Sequence, residues 1–389
     1  MPARRKRRSI TLESPPSSFA IVVPWLHGIR GHRVSINLAR ELADRGARVD
    51  FLVGRMNREL VGPVSSQLGK ARPSYLGYLG SGRTSILRFA RYQYSRSSDR
   101  ALSKAVAIGH QQAPYDVVLV ASNEGHWIAA YLRKRLGVKA PLLAVCVREL
   151  VEHPLWLGYE RRWSHARKLF SPLYPLFHQA EAERLREFDR VYSISPWTSL
   201  LLDYFYGIRR SPTLAMVDRT FYDAQIPSLP QNYVAVPTAA LDREGVAMIQ
   251  AVARAIPNLR TYGPTGVPGI PHEGFLSDPD LVSFVGSAAA TLFVFDYEAL
   301  GLIPLESLAA GTPVVTLPKQ GPRVLLTGNP GVRFGTTPEE LSAGLRELMP
   351  LSRDPAWRRE LRASVGGFHP QRATNDFLST LGRSRDGLS

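Results

Sequence analysis

Glu298 and Glu306 are separated by seven residues within LFVFDYEALGLIPLESLAAGTPVVTLPK, the stretch from Leu292 to Lys319, and both lie between two apolar runs. An ionised carboxylate is an acceptor only, so a pair of them suits a ligand that presents vicinal hydroxyls. The amides at a helix amino terminus suit anionic oxygens for the complementary reason. A sugar joined to a nucleoside diphosphate carries both kinds of group, and a nucleotide-sugar fits the pair. A glutamate near the third helical position also stabilises a helix amino terminus by ~0.3–1 kcal/mol with no ligand bound, and the sequence puts Glu306 close to that position.

The elements that must hold these residues can be read on either side of them. Leu292 to Phe295 and Val314 to Leu317 are short β-branched and aromatic runs, Pro304 suits a first helical position, and Gly311 suits a helix stop. Glu298 is then expected in the loop at the carboxyl end of a strand and Glu306 in the first turns of the next helix. Ligands of open α/β sheets bind at that edge, and Gly301 lets the backbone approach one without a Cβ. The same alternation recurs along the chain. FAIVVPW reads as a strand, SINLARELADRG as a helix ending at Gly46, and ARVDFLVG as a second strand. Met56 to Gln112 is polar and rich in Arg and Tyr, with no element assigned. Strands at Asp116 to Ala121 and Leu142 to Val147 flank a helix from Trp127 to Leu136, and DRVYSIS reads as another strand. YVAV then opens a second series with helices Val246 to Ile256 and Pro338 to Leu348. Strands alternating with helices imply parallel, doubly wound sheets.

A chain of 389 residues accommodates two domains of ordinary size, and 44% apolar with 21% charged residues excludes a disordered protein. No stretch reaches the ~18 uninterrupted apolar residues of a membrane-spanning helix. The start, MPARRKRRSITLESPPSS, is basic, but Glu13 and two prolines stand where the apolar core of a signal peptide would lie. Residues 1–18 are therefore expected to be a disordered tail, and the protein cytoplasmic. The single cysteine, Cys146, excludes an internal disulfide and sits in LLAVCV as a buried small hydrophobe. Forty-nine Lys and Arg against 33 Asp and Glu give +16. The sequence lacks a zinc finger, a helix-turn-helix and RNP strands, so no specific nucleic acid is expected. An anionic membrane surface is the expected partner, contacted by the Arg- and Trp-rich stretch 154–188 at the inner face of the membrane.

The ordered string Glu298, Gly301, Pro304, Leu305, Glu306, Ala309, Gly311, Pro313, Val314 and Val315 resembles the E-x7-E signature of retaining glycosyltransferases, family 4 type. The likeness extends to GIRGHRVSINLARELADRGARVDFLV and to PGVRFGTTPEELSAGLREL. It implies the GT-B architecture, an α/β fold of two facing Rossmann-like domains with a C-terminal segment crossing back to the first. The expected divisions are an acceptor domain over 19–210, a donor domain over 211–365 and a crossover segment over 366–389. The implied activity is retaining transfer of a sugar from a nucleotide-diphosphate sugar to a lipid-linked or other glycan acceptor. No metal or other cofactor is implied. A catalytically impaired relative acting as a scaffold or sugar-binding subunit is the alternative.

Carried over position by position, the resemblance puts Glu306 on the nucleotide ribose and Glu298 near the donor hexose. The backbone of Gly301, Leu302 and Ile303 lies beside sugar and diphosphate, and Gly31 brings an amide to the donor from across a cleft. The chain departs from the family where a diphosphate-binding Arg/Lys pair belongs: Ala239 and Ala240 stand there, and no lysine precedes Gly245. Arg219 and Arg243 are the nearest substitutes. Arg148 occupies ground where the family often has a histidine, the first loop reads Arg30-Gly31 rather than two glycines, and His126 is a further acceptor-side candidate, with His153 behind it.

Overall fold

The computed structural model describes residues 15–26, 30–77, 88–122, 125, 127–137, 141–147, 174–239 and 241–381. Two compact units divide the chain. The first comprises residues 1–194, 198–216 and 373–389, and the second comprises 195–197 and 217–372. The junctions at 216/217 and 372/373 lie a few residues beyond the expected 210 and 365.

The first unit is built on a six-stranded parallel sheet. Its strands are β1 (Ser18–Leu26), β2 (Arg48–Met56), β3 (Arg72–Tyr75), β4 (Val117–Val120), β5 (Leu142–Val147) and β6 (Arg190–Ser193), in the order β3-β2-β1-β4-β5-β6. β1 shows why such a sheet must be covered on both faces. Phe19, Ile21 and Val23 enter one apolar cluster with Ile36 and Leu42 of the helix Arg33–Asp44. Ala20 and Val22 enter another, with Leu102 and Val106 of the helix Arg88–Gln112 and Ile128 and Leu132 of the helix Ile128–Leu136. Strands covered this way read as continuous apolar runs, which is how β1, β4 and β5 appear in the sequence.

The polar stretch 56–112 is more ordered than its composition suggests. It holds the helix Val61–Gln67, β3 and the 25-residue helix Arg88–Gln112. β3, of sequence RPSY, is a short and mostly exposed edge strand, so it carries no hydrophobic signature. Arg72 pairs with Asp50 of β2 at 2.8 Å, directly across the register. The carboxyl-terminal helix Pro370–Leu381 returns to the first unit: the Phe377 ring lies 5.2 Å from that of Tyr192, and Tyr192 Oη and Thr380 Oγ1 share a 2.8 Å hydrogen bond. Cys146 is buried, as its neighbours predict.

The second unit has a five-stranded parallel sheet. Its strands are β7 (Gln231–Pro237), β8 (Leu259–Tyr262), β9 (Ala288–Phe293), β10 (Val314–Thr316) and β11 (Val332–Phe334), in the order β11-β10-β9-β7-β8. β9 begins four residues before the strand expected from Leu292 and ends at Phe293. Its first half is Ala288-Ala289-Ala290, which has little β propensity by itself, but every residue of β9 is buried, the first half pairing with β7 and the second with β10. Each unit is thus a Rossmann-like α/β layer structure with helices on both faces of a parallel sheet.

Candidate functional site

Glu298 and Glu306 lie on the carboxyl side of β9, the central strand of the second sheet. The chain leaves β9 through Val294 to Leu300 and enters the helix Leu302–Ala309. Gly301 is the turning point: its φ is +87°, and a Cβ there would stand 3.1 Å from Pro322 Cγ. An L side chain would be strained by the φ and crowded by the proline. Glu298 fixes the approach to that turn, because its Oε1 accepts from the amides of Leu300 and Gly301, both at 3.0 Å.

The helix starts two residues earlier than the sequence suggests. Pro304 is its third residue rather than its first, and Glu306 its fifth rather than its third. Glu306 is therefore past the first turn, where the influence of the terminal amides has faded. It is also buried, at 7% exposure. A carboxylate is rarely buried on helix-capping grounds alone, so the position calls for an explanation beyond local stability. At the mouth of the helix the amides of Leu302 and Ile303 have no acceptor within the helix, and Pro304 has no N–H. They form a short donor patch beside the Glu298 loop.

A second wall of the site comes from the loop after β10, whose role the sequence reading missed. Lys319 forms an ion pair with Asp296, which lies in the β9 loop two residues before Glu298. Gln320 has a φ of +37°, unusual for a residue with a side chain, and its Oε1 lies 3.4 Å from the Glu298 amide nitrogen. The Gly321 amide donates to the Glu298 carbonyl at 3.0 Å, and a Cβ on Gly321 would fall 2.2 Å from the Ala299 carbonyl oxygen. Ser195, itself fully buried, donates to the same Ala299 oxygen at 2.5 Å. The sequence signal was there to be read: a glycine two residues past Lys319, where the chain enters the helix Gln320–Leu326, lacks a Cβ and so permits close backbone approach.

Of the other candidates, Arg243 is the first residue of the helix Arg243–Ala255, exposed and without an ion-pair or hydrogen-bond partner among the described residues. That helix follows β7 and is capped by Asp242, which accepts from the Gly245 amide at 2.8 Å. Gly245 abuts the β9 loop, with its ideal Cβ position 3.4 Å from the Val294 carbonyl oxygen. Arg219 opens the short helix Arg219–Asp223, which packs against the helix carrying Glu306. Gly31 is on the first unit, in the turn between β1 and the helix Arg33–Asp44, beside a small cavity lined by His32, Ser35, Ala121, Cys146 and Ile194. Ala240, His126, Arg148 and His153 lie outside the described residues, as does most of 154–188.

Arg358 and Arg362 support the site from behind. Arg358 is fully buried, and its guanidinium donates to the carbonyls of Gly311, at 2.8 Å, and Gly286, and to Thr312 Oγ1 at 3.1 Å. Arg362 donates to Ala309 O at 2.8 Å and Ala224 O at 2.6 Å. The two arginines, one helical turn apart, thus cap the carboxyl ends of three helices, where cations are favoured. One of those helices carries Glu306. Burial pushes the Arg358 guanidinium down to about 10 and lowers that of Arg362.

Two other features draw attention and belong elsewhere. A cavity of about 280 Å³ lies at the opposite edge of the second sheet, among Gln231, Asn258, Ala289, Arg346 and Arg353. One Asp-x-Asp run, Asp278-Pro279-Asp280, also escapes the sequence reading. It forms the first turn of the helix Asp278–Ser287, where Ser277 bonds Asp280, a capping arrangement that accounts for both acids. Among the described residues no group of three or more His, Cys, Asp or Glu is placed to hold a metal ion, and no helix is long and apolar enough to cross a membrane.

Comparison with known proteins bears on this same region. Residues 270–363 match the family model "Glycosyl transferases group 1", a span that includes both glutamates, Lys319 and Arg358. Over 122 residues the chain is 35% identical to a GDP-mannose-dependent alpha-(1-6)-phosphatidylinositol dimannoside mannosyltransferase of Mycobacterium tuberculosis. The match covers 30% of this chain and 31% of that protein, so the chain spans about a third of the length of the curated relatives it matches. Two solved structures are similar over nearly the whole length. HepE from Anabaena, solved with UDP and glucose, aligns with a TM-score of 0.64 at 12% identity, covering 93% of this chain and 99% of its own. Sucrose-phosphate synthase from Thermosynechococcus elongatus aligns with a TM-score of 0.61 at 16% identity, covering 96% of each. Such low identities establish the shared fold, that of GT-B glycosyltransferases.

Proposed function

We propose that this protein is a retaining glycosyltransferase of the family 4 type. It moves a sugar from a nucleotide-diphosphate sugar to a lipid-linked, polysaccharide or other glycan acceptor at the cytoplasmic face of the membrane. The observation that carries this reading is the buried Glu306, set beyond the helix's first turn and next to a loop that Glu298 folds around Gly301. Glu306 takes the ribose hydroxyls. Glu298, whose Oε1 already serves the loop, lies toward the hexose and keeps the Gly301–Ile303 backbone in place. The amides of Leu302 and Ile303 meet the diphosphate, where negative charge grows as the glycosidic bond breaks. Gly31 contributes an amide from the first unit, and His126 and Arg148 serve the acceptor side. The reaction proceeds without a metal.

The relatives support the donor class: one is GDP-mannose-dependent by name, and another was solved with UDP and glucose. The +16 charge supports an anionic membrane surface as the place of work. A second reading keeps the fold and the donor pocket but not the turnover, and Ala239 favours it, because a cation is missing where the leaving diphosphate needs one.

The decisive experiment titrates GDP and UDP into wild type, Glu306→Ala and Glu298→Gln. Loss of a charged acceptor to a buried hydroxyl costs ~1.5–3 kcal/mol, so Glu306→Ala should bind the free nucleotide roughly 10- to 150-fold more weakly. Glu298→Gln retains an oxygen for the two loop amides and should bind it nearly as wild type while transferring sugar poorly. Equal losses in the two variants would remove this division of roles. Wild-type protein that binds donor yet releases no nucleoside diphosphate with any acceptor would establish the second reading.

A further inference from the structure

Resting on the donor site proposed above, we infer that Lys319 is the cation that neutralises the donor's diphosphate, and that Asp296 holds it in place while the site is empty. The chain has seven lysines among its 49 basic residues, and Lys319 is the only one after Lys168. An arginine-biased sequence thus places a compact, rotatable ammonium at this position. Arginine offers a planar fork that locks onto one partner. Lysine offers a point charge on a flexible stem that can leave one anion for another.

The surroundings place that charge at the site. Lys319 ends the loop from β10, and β10 is the direct neighbour of β9 in the parallel sheet, so the two strands deliver their loops to one edge. The next two residues pack onto the Glu298 loop through the Gln320 side chain, the Gly321 amide and the close approach of Gly321 to Ala299, whose carbonyl oxygen would stand 2.2 Å from a Cβ at 321. Gln320 holds a left-handed backbone conformation that disfavours side chains, and strain of this kind persists where the surrounding structure imposes it. Here it turns the chain so that Lys319 faces the β9 loop and meets Asp296.

The Asp296–Lys319 pair is about half exposed, with side-chain accessibilities of 49% and 44%. A pair so exposed to water contributes little to stability, so it can be exchanged cheaply when a diphosphate carrying more negative charge arrives. The sequence lacks the arginine expected at 239–240 and the lysine expected just before Gly245, and Lys319 supplies one cation from the loop after β10 instead.

Three variants separate this assignment from a structural brace: Lys319→Ala, Lys319→Arg and Asp296→Asn. Each is titrated with GDP and GMP and with UDP and UMP, alongside a thermal melt. If Lys319 meets the diphosphate, Lys319→Ala weakens the nucleoside diphosphate at least tenfold and the monophosphate less than threefold. Asp296→Asn, which frees the ammonium, leaves the diphosphate affinity equal or tighter, and Lys319→Arg restores part of it. The inference is overturned if Lys319→Ala weakens mono- and diphosphate alike or neither, or if Asp296→Asn weakens the diphosphate as much as Lys319→Ala does. Failure of the donor-site reading has a different signature, since wild-type protein would then bind neither GDP nor UDP.

Discussion

Arg358 is a buried cation that binds no carboxylate among the described residues, and substitution should show what that costs. Burial lowers its guanidinium to about 10, against an ordinary 12.5, so the charged form is disfavoured in place by about 3 kcal/mol. Replacing Arg358 with Met recovers that penalty and keeps most of the volume. It leaves the Gly286 and Gly311 carbonyls without their donor, at ~1–3 kcal/mol each; Thr312 keeps its own bond to Val285 O. The two effects nearly cancel, and Arg358→Met should cost about 0–2 kcal/mol. Arg358→Ala also forfeits two buried methylenes at ~0.8 kcal/mol each and opens a cavity, so it should cost about 3–5 kcal/mol. Arg358→Lys keeps a charge that cannot span both carbonyls, and should be worse than Met despite its chemical similarity. Urea-dependent hydrogen exchange of the peptide covering 302–312 reads the effect where the guanidinium acts, and avoids treating two units as one transition. If Met proves as damaging as Ala, or worse than Lys, the charge is a net stabiliser and the reasoning from its lowered proton affinity is wrong.

Gly321→Ala should displace the Glu298 loop, since its Cβ would overlap Ala299, and should lower nucleotide affinity; Gly328→Ala, strained at φ +84° but with open space around it, should lower stability by ~1 kcal/mol and leave affinity intact. Comparable affinities for the two variants would show that the loop tolerates movement. Alkaline pH should destabilise the first unit more steeply than the second. Burial pushes Tyr192 up to about 12 and raises Tyr115, so stability present below the unfolded value of 10 is lost as pH rises, by up to about 3 kcal/mol for Tyr192. In the second unit the raised Tyr222 and Tyr233 are opposed by the lowered Arg358 and Arg362, which gain stability in the same window because the unfolded chain keeps their protons longer. Unit-resolved hydrogen exchange at pH 8 and pH 11 tests the ordering, and equal losses would contradict it. Sedimentation with anionic vesicles should be strong at low salt and fade as salt rises; equal binding to neutral vesicles would remove electrostatics as the cause.

The fold was legible wherever a strand is covered on both faces, because burial leaves an apolar run that needs no context. β1, β4, β5 and β7 are such strands. β3 and the start of β9 were not, for opposite reasons. RPSY is an exposed edge whose only obligation is to pair with β2, and Ala288-Ala289-Ala290 is strand because it is buried and pairs with β7. In both, tertiary position overrides a local preference that is weak or points elsewhere.

The site divides along the same line. The two glutamates were readable because their spacing is local, seven residues across one loop and one helix. The register of that helix was not, since Pro304 suits both the first and third positions and only the φ of Gly301 settles which. Lys319 and Arg358 left less trace, because their meaning is entirely long-range. Lys319 meets Asp296 across two parallel strands, and Arg358 reaches back 47 residues to Gly311 and 72 to Gly286. A cation near a helix carboxyl end and a cation near a ligand's phosphate look identical in sequence. What separates them is the partner: Arg358 faces fixed carbonyl dipoles in a closed interior, whereas Lys319 faces one exchangeable carboxylate at an open edge. The first arrangement can only hold a helix in place, and the second can give up its partner, which is the property a site for an incoming diphosphate requires.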